Sequence, residues 1–222
     1  GDFLNRKNEI FSEANLNKME SQLGPKWREA VEGMLERMVT GRTKPANLGR
    51  LGNSVMNYLN GSVGAIMNFN TRSATLQLIS SVNFVNHSFN NPLRAAQALA
   101  NVPQYAKDFM MIMNSDMLVQ RRNGLRINVT EAEIAAAAKG GWDAKKVIAK
   151  ILQAGYIPTK MADSFAIASG GATYYRNRVR DLMNRGMDRV EAEKKAFIDF
   201  QAIAERTQQS SRPDLLSAQQ VS

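Results

Sequence analysis

TKMADSFAIASGGATYYRNRVRDLMN, residues 159–184, decides the fold. The turn Gly155-Tyr156-Ile157-Pro158 precedes it, and the run reads as one long helix from Thr159 to Asn184. Its interior Gly170-Gly171 pair marks either a close helix crossing or a kink. RGMDRVEAEKKAFIDFQAIAERT, residues 185–207, gives a final helix from Asp188 to Thr207, after which QQSSRPDLLSAQQVS loses periodicity. Strand signals are nearly missing, since only RINV at 126–129 alternates and it is too short to build a sheet. The expectation is an all-α fold: a multi-helix, bundle-like domain over 54–207, preceded by a helical hairpin over 1–40 and a linker over 41–53, and followed by a tail over 208–222.

Upstream of the long helix, the signals are helix starts and stops. Phe3, Ile10, Phe11, Leu16, Met19 and Leu23 recur at helical spacing until Gly24-Pro25 breaks the pattern. Trp27, Val31, Met34, Leu35 and Met38 then form a second run that Gly41 ends, completing the hairpin. GRTKPANLGRLGN, residues 41–53, holds three Gly, one Pro and three basic residues and reads as the linker. Asn91 is placed to cap a helix with Pro92 in its first turn, and Pro103 opens a helix carrying Tyr105, Phe109, Met110, Ile112 and Met113. TEAE at 130–133 matches a capping box ahead of IAAAAK, and Trp142 to Ala154 is again amphipathic.

Charge is distributed unevenly. Lys and Arg total 29 against 20 Asp and Glu, a net of +9, which favours polyanionic partners or simply keeps the surface soluble. From Arg37 to Lys107 there is no Asp or Glu. Eleven Asn lie between Asn47 and Asn101, so helices there rest on burying Val55, Met56, Leu59, Val63, Ile66, Met67 and Phe69, with a break near Asn70-Thr71. Crossing a bilayer takes ~20 predominantly apolar residues, and Asn57, Asn60, Asn68, Asn70, Asn83 and Asn86 interrupt every window. Residues 54–91 therefore read as lining a watery channel, as an oligomeric interface, or as an ordinary buried helical hairpin.

No chemistry-bearing constellation stands out. With no Cys and with His87 as the one histidine, thiol catalysis and His-rich metal sites are excluded, and His87 reads as structural or surface. GSVGA at 61–65 and SGGAT at 169–173 lack the Lys and the strand of a phosphate loop and read as packing contacts. The pairs Glu131/Glu133 and Glu191/Glu193 diverge on a helix, and Lys160 with Ser164 has no oxyanion context. No cofactor, metal or catalytic residue is expected. YYRNRVRDLMNRGMDR, residues 174–189, carries Arg176, Arg178, Arg180, Arg185 and Arg189 beside two tyrosines able to stack on a base, with Asp181 and Asp188 partly neutralising the stripe. Arg121 and Arg122 in QRRNGLR form a second patch of the same kind. Each reads either as a solvated helix face or as a nucleic-acid contact.

NFNTRSATLQLISSVNFVN (68–86), NNPLRAAQALANVPQYAKDF (90–109), NSDMLVQRRNGLRINVTEAEIA (114–135), GYIPTKMADSFAIASGGATYYRNR (155–178) and QQSSRPDLLSAQQ (208–220) together resemble a region of very large internal virion proteins of tailed bacteriophages. Those polyvalent proteins are packaged in the capsid and ejected with the genome. The resemblance spans about residues 50 to 222, and both termini look like those of a piece cut from a longer chain. It implies a non-enzymatic structural segment of a capsid-internal core, later delivered into the host cell. Implied partners are further copies of this chain, other phage core or portal proteins and genomic DNA, with membrane contact during ejection at most. On this reading Val63, Ile66, Met67, Phe69, Leu76, Ile79 and Phe84 form the oligomer interface. Zero Cys and 12 Met suit a chain passing partly unfolded through a narrow tail. The alternatives are a nucleic-acid-binding module of a phage replication or transcription protein, and an accessory helical domain of a phage enzyme.

Overall fold

The computed structural model describes residues 12–25, 83–121 and 159–210, together with residues 28, 29, 32, 58, 124, 132, 133 and 136. These residues are 84% helical. The helices are α1 (Glu13–Leu23), α2 (Pro92–Ala100), α3 (Val102–Met113), α4 (Asp116–Arg121), α5 (Thr159–Asn184) and α6 (Arg189–Ser210). The chain is all-α, and among the described residues the only β feature is an isolated bridge between His87 and Asn90.

α5 is the hub, because α2, α3, α4 and α6 all pack on it. Every residue from Ser164 to Tyr175 is buried, as expected of a helix enclosed on all sides. Small residues make that enclosure possible. The Gly170-Gly171 pair marks a close crossing rather than a break, since α5 is continuous through it. A Cβ on Gly170 would lie 3.1 Å from Cδ2 of Phe84, and one on Gly171 would lie 2.9 Å from Cδ2 of Phe200. The two phenylalanines stack on each other with ring centroids 5.6 Å apart and planes at 19°. On the other side of α5, Phe165 meets Phe109 of α3 edge to face at 5.0 Å. Two buried hydroxyls of α5 bond to its own carbonyls, Ser169 donating to Phe165 O at 2.9 Å and Thr173 to Gly170 O at 3.0 Å.

Helix ends follow the capping chemistry. Asn91 accepts from the Arg94 amide at 3.0 Å ahead of Pro92, and proline again occupies the first turn of α3. Asp188 caps α6 by accepting from Val190 N at 3.0 Å. α6 continues to Ser210, three residues past the expected Thr207, because no glycine or proline stops it before Pro213. α4 was not expected; its start is signalled by Ser115, which accepts the Val119 amide on its carbonyl, and by Asp116 in the first turn.

Of the expected N-terminal hairpin, the described residues are α1, a turn at Gly24 with φ of 89°, and helical backbone at residues 25, 28, 29 and 32, while residues 1–11 and 33–40 lie outside them. Arg28 binds back across it to Glu13 at 2.8 Å and Glu20 at 3.1 Å. Leu16 of α1 belongs to the same buried cluster as Phe109 and Phe200. The linker at 41–53, the expected helices between 59 and 82, and the amphipathic run at 142–154 lie outside the described residues. Of the helix after the capping box, residues 132, 133 and 136 are described and are helical.

Candidate nucleic-acid interface

The arginine stripe of α5 divides in two. Arg176 and Arg178 point into the fold: Arg176 forms a two-pronged pair with Asp108 of α3, Nε to Oδ2 at 2.8 Å and Nη2 to Oδ1 at 2.6 Å. Asp108 is 3% exposed and takes a further bond from Gln104 at 3.1 Å. Its carboxylate raises the Arg176 pKa above the ordinary value, against the opposing effect of burial. Arg178 donates to Asp199 of α6 and to Asp181, each at 2.8 Å, and lies over the Phe89 ring at 5.0 Å from the centroid. Asp199 is shared with Lys195 at 2.6 Å; burial works against its charge, yet the two cations hold its carboxyl below the ordinary range. These two arginines tie α5 to α3 and to α6.

Arg180, Arg185 and Arg189 remain on the surface. Arg180 reaches Asn177 Oδ1 only at 3.5 Å, while Arg185 and Arg189 form solvent-facing pairs with Asp181 and Glu193 at 3.3 and 3.0 Å. Such pairs compete weakly with a phosphate. The tyrosines expected to stack on a base do not face outward. Tyr174 and Tyr175 are both 4% exposed, and burial pushes their phenols up to about 12. Arg121 is the last residue of α4, and Arg122 lies outside the described residues.

The hydrophobic interface set is described only at its end. Val63, Ile66, Met67, Phe69, Leu76 and Ile79 lie outside the described residues. Phe84 does not serve as an exposed assembly contact: it is fully buried, seated on Gly170 and Phe200 and 5.7 Å from the Tyr174 ring. Around it, residues 83–91 are fixed by asparagine. Asn83 donates to Thr207 of α6 at 3.0 Å. The buried Asn90 donates to Phe84 O at 2.8 Å and accepts from Asn177 of α5 at 2.8 Å; Asn177 also donates to Arg94 O at 3.0 Å. His87 is structural, with Nε2 3.0 Å from Asn83 O and its ring packed against Phe89 and Tyr174.

Not legible in the sequence were Asp108 and Asp199, which decide which arginines of α5 are engaged, and Asn90 and Asn177, which hold residues 83–91 to α5. One signal was present for Asp108. It follows the acid-free span at helical spacing from Tyr105 and Ile112, so a carboxylate sits on an apolar face and requires a cation there. Among the described residues no group of three or more His, Asp or Glu could hold a metal ion, and no helix is long and apolar enough to cross a membrane. Comparisons with protein-family models, curated proteins and solved structures return no match.

Proposed function

We propose that the chain is a non-enzymatic, helical structural segment of an internal virion protein of a tailed phage, part of a capsid-internal assembly that accompanies genome delivery. The resemblance of segments 68–86, 90–109, 114–135, 155–178 and 208–220 to such proteins supports the phage origin. One observation supports a structural role: the buried and half-buried polar side chains join elements of the fold to one another. Asp108 with Arg176 joins α3 to α5, Arg178 with Asp199 joins α5 to α6, and Asn90 with Asn177 joins residues 83–91 to α5. Such ties suit a component that is folded while packed in the capsid against copies of itself and against portal or core proteins, before any passage through the tail. Mass photometry of the purified chain should show multimers, and density for it should lie inside the capsid on the portal axis. A monomer at micromolar concentration with no density there would remove this reading.

Surface arginines favour a second reading, a nucleic-acid-binding module of a phage replication or transcription protein. Arg185 and Arg189 are 68% and 70% exposed at the α5–α6 turn, with Arg180 one to two helical turns away. It predicts salt-sensitive DNA binding that the combined change Arg180→Ala, Arg185→Ala and Arg189→Ala abolishes with folding intact. Arg176 and Arg178 are unsuited to this test, because removing them breaks helix junctions.

A further inference from the structure

Residues 83–91 form a strap across α5 and α6, and the chain's one histidine sits inside it. His87 presents Nε2 to a carbonyl, which can only accept, so Nε2 carries the hydrogen and Nδ1 is the atom left to take a proton. Its ring stacks on Phe89 at 5.3 Å and meets Tyr174 edge-on at 5.1 Å. Those rings would welcome one cation, but Phe89 already has the Arg178 guanidinium over it. The charged and titratable groups that act on this spot are Tyr174 and Arg178 from α5 and Arg206 and Asp199 from α6. The strap itself, NFVNHSFNN, carries none besides His87. Asp199 is already bound by Arg178 and Lys195, so it does not serve as a counter-ion to the ring.

We propose that acidification loosens residues 83–91 from α5 and α6 through His87, raising the share of molecules in which the Phe84 and Phe200 rings are uncovered while α3 and α5 stay folded together. A proton on Nδ1 places a third positive charge beside two guanidiniums in a half-buried aromatic niche. Burial first, and then Arg206 and Arg178, hold the His87 pKa below its ordinary 6.5, against the hydrogen bond to Asn83. The folded strap thus prefers the neutral ring. Its stabilisation is complete above pH 6.5 and is lost as pH falls from there towards the lowered folded value. His87 is the only side chain whose ordinary value lies in this window, and the Asp108–Arg176 junction is formed by other residues.

The test uses the whole chain. Its single histidine gives one imidazole proton signal to follow by NMR, and segment-resolved hydrogen exchange is compared at about pH 7.5 and about pH 5.5 after correction for intrinsic rates. Expected are a His87 midpoint below the ordinary value and a several-fold rise in exchange at 83–91 on acidification, with α3 and α5 unchanged. His87→Gln keeps a side-chain N–H for Asn83 O and cannot titrate, and it should abolish the rise. A midpoint at or above the ordinary value, or the same rise in His87→Gln, overturns the proposal. If that variant does not fold, the wild-type midpoint and exchange pattern decide alone.

Discussion

Arg28 and Arg176 each fasten one helix to another through carboxylates, in opposite surroundings. Arg28 closes the N-terminal hairpin by binding Glu13 and Glu20, acids whose side chains are 76% and 37% exposed, and also holds Glu32, 47% exposed, four residues further along its own stretch. Arg176 closes the α3–α5 junction on Asp108 alone, whose side chain is 4% exposed. Water and salt screen the first cluster, so its partners substitute for one another and each matters little. In the second, both charges have given up hydration for each other, and the loss of either leaves the other stranded. The number of ion pairs is therefore a poor guide to which junction is fragile.

The largest expected effect is at the buried junction. Asp108→Ala should lower unfolding free energy by about 3 to 5 kcal/mol in urea melts at fixed pH, because Arg176 stays half-buried without its acid. Adding Arg176→Met and placing Leu at 108 should recover most of that loss. If the apolar pair is no more stable than Asp108→Ala, packing rather than charge pairing is the source.

Next comes the α5 crossing. Gly171→Ala should cost about 1 to 3 kcal/mol, as its Cβ would press on the Phe200 ring held in the aromatic stack. Gly170→Ala should cost less, since Phe84 Cδ2 is 3.1 Å away and alanine recovers up to about 1 kcal/mol of helix propensity. Thermal melts of the two variants give the order directly. Alkaline pH acts through Tyr174 and Tyr175, whose folded phenols are pushed up to about 12. The unfolded chain ionises first, so stability should fall as pH rises through the ordinary value of 10.0, with phenolate absorbance appearing together with unfolding. The smallest effect is expected from Arg28→Ala: a slight loss that shrinks further as salt is added, measured as the change in melting temperature across a salt series.

The bounds of α5, the start of α6 and the Asn91-Pro92 cap were legible in the sequence because each depends on residues adjacent along the chain, whereas the Gly170-Gly171 pair left crossing and kink open until Phe84 and Phe200 were placed against it. The use of each arginine was not legible. Arg176 and Arg180 share one face of α5 at a spacing of four, yet one meets Asp108 and the other meets solvent, because α3 contributes its single buried carboxylate at only one of them. That outcome depends on a residue 68 positions away in the chain. The same holds for Asn90 and Asn177, 87 positions apart, where an asparagine-rich segment looked unusual for its missing charge and proved, at its described end, to be pinned by its amides.

The two glycines of α5 carry a consequence for divergence. Being consecutive, they face different neighbours, Gly170 the strap and Gly171 the last helix, so one turn of backbone sets two clearances. Position 171 and position 200 should therefore drift as a couple. A related chain with alanine at 171 is expected to carry something slimmer than phenylalanine at 200, and the pair can be exchanged only in the order that trims the ring before it fills the notch.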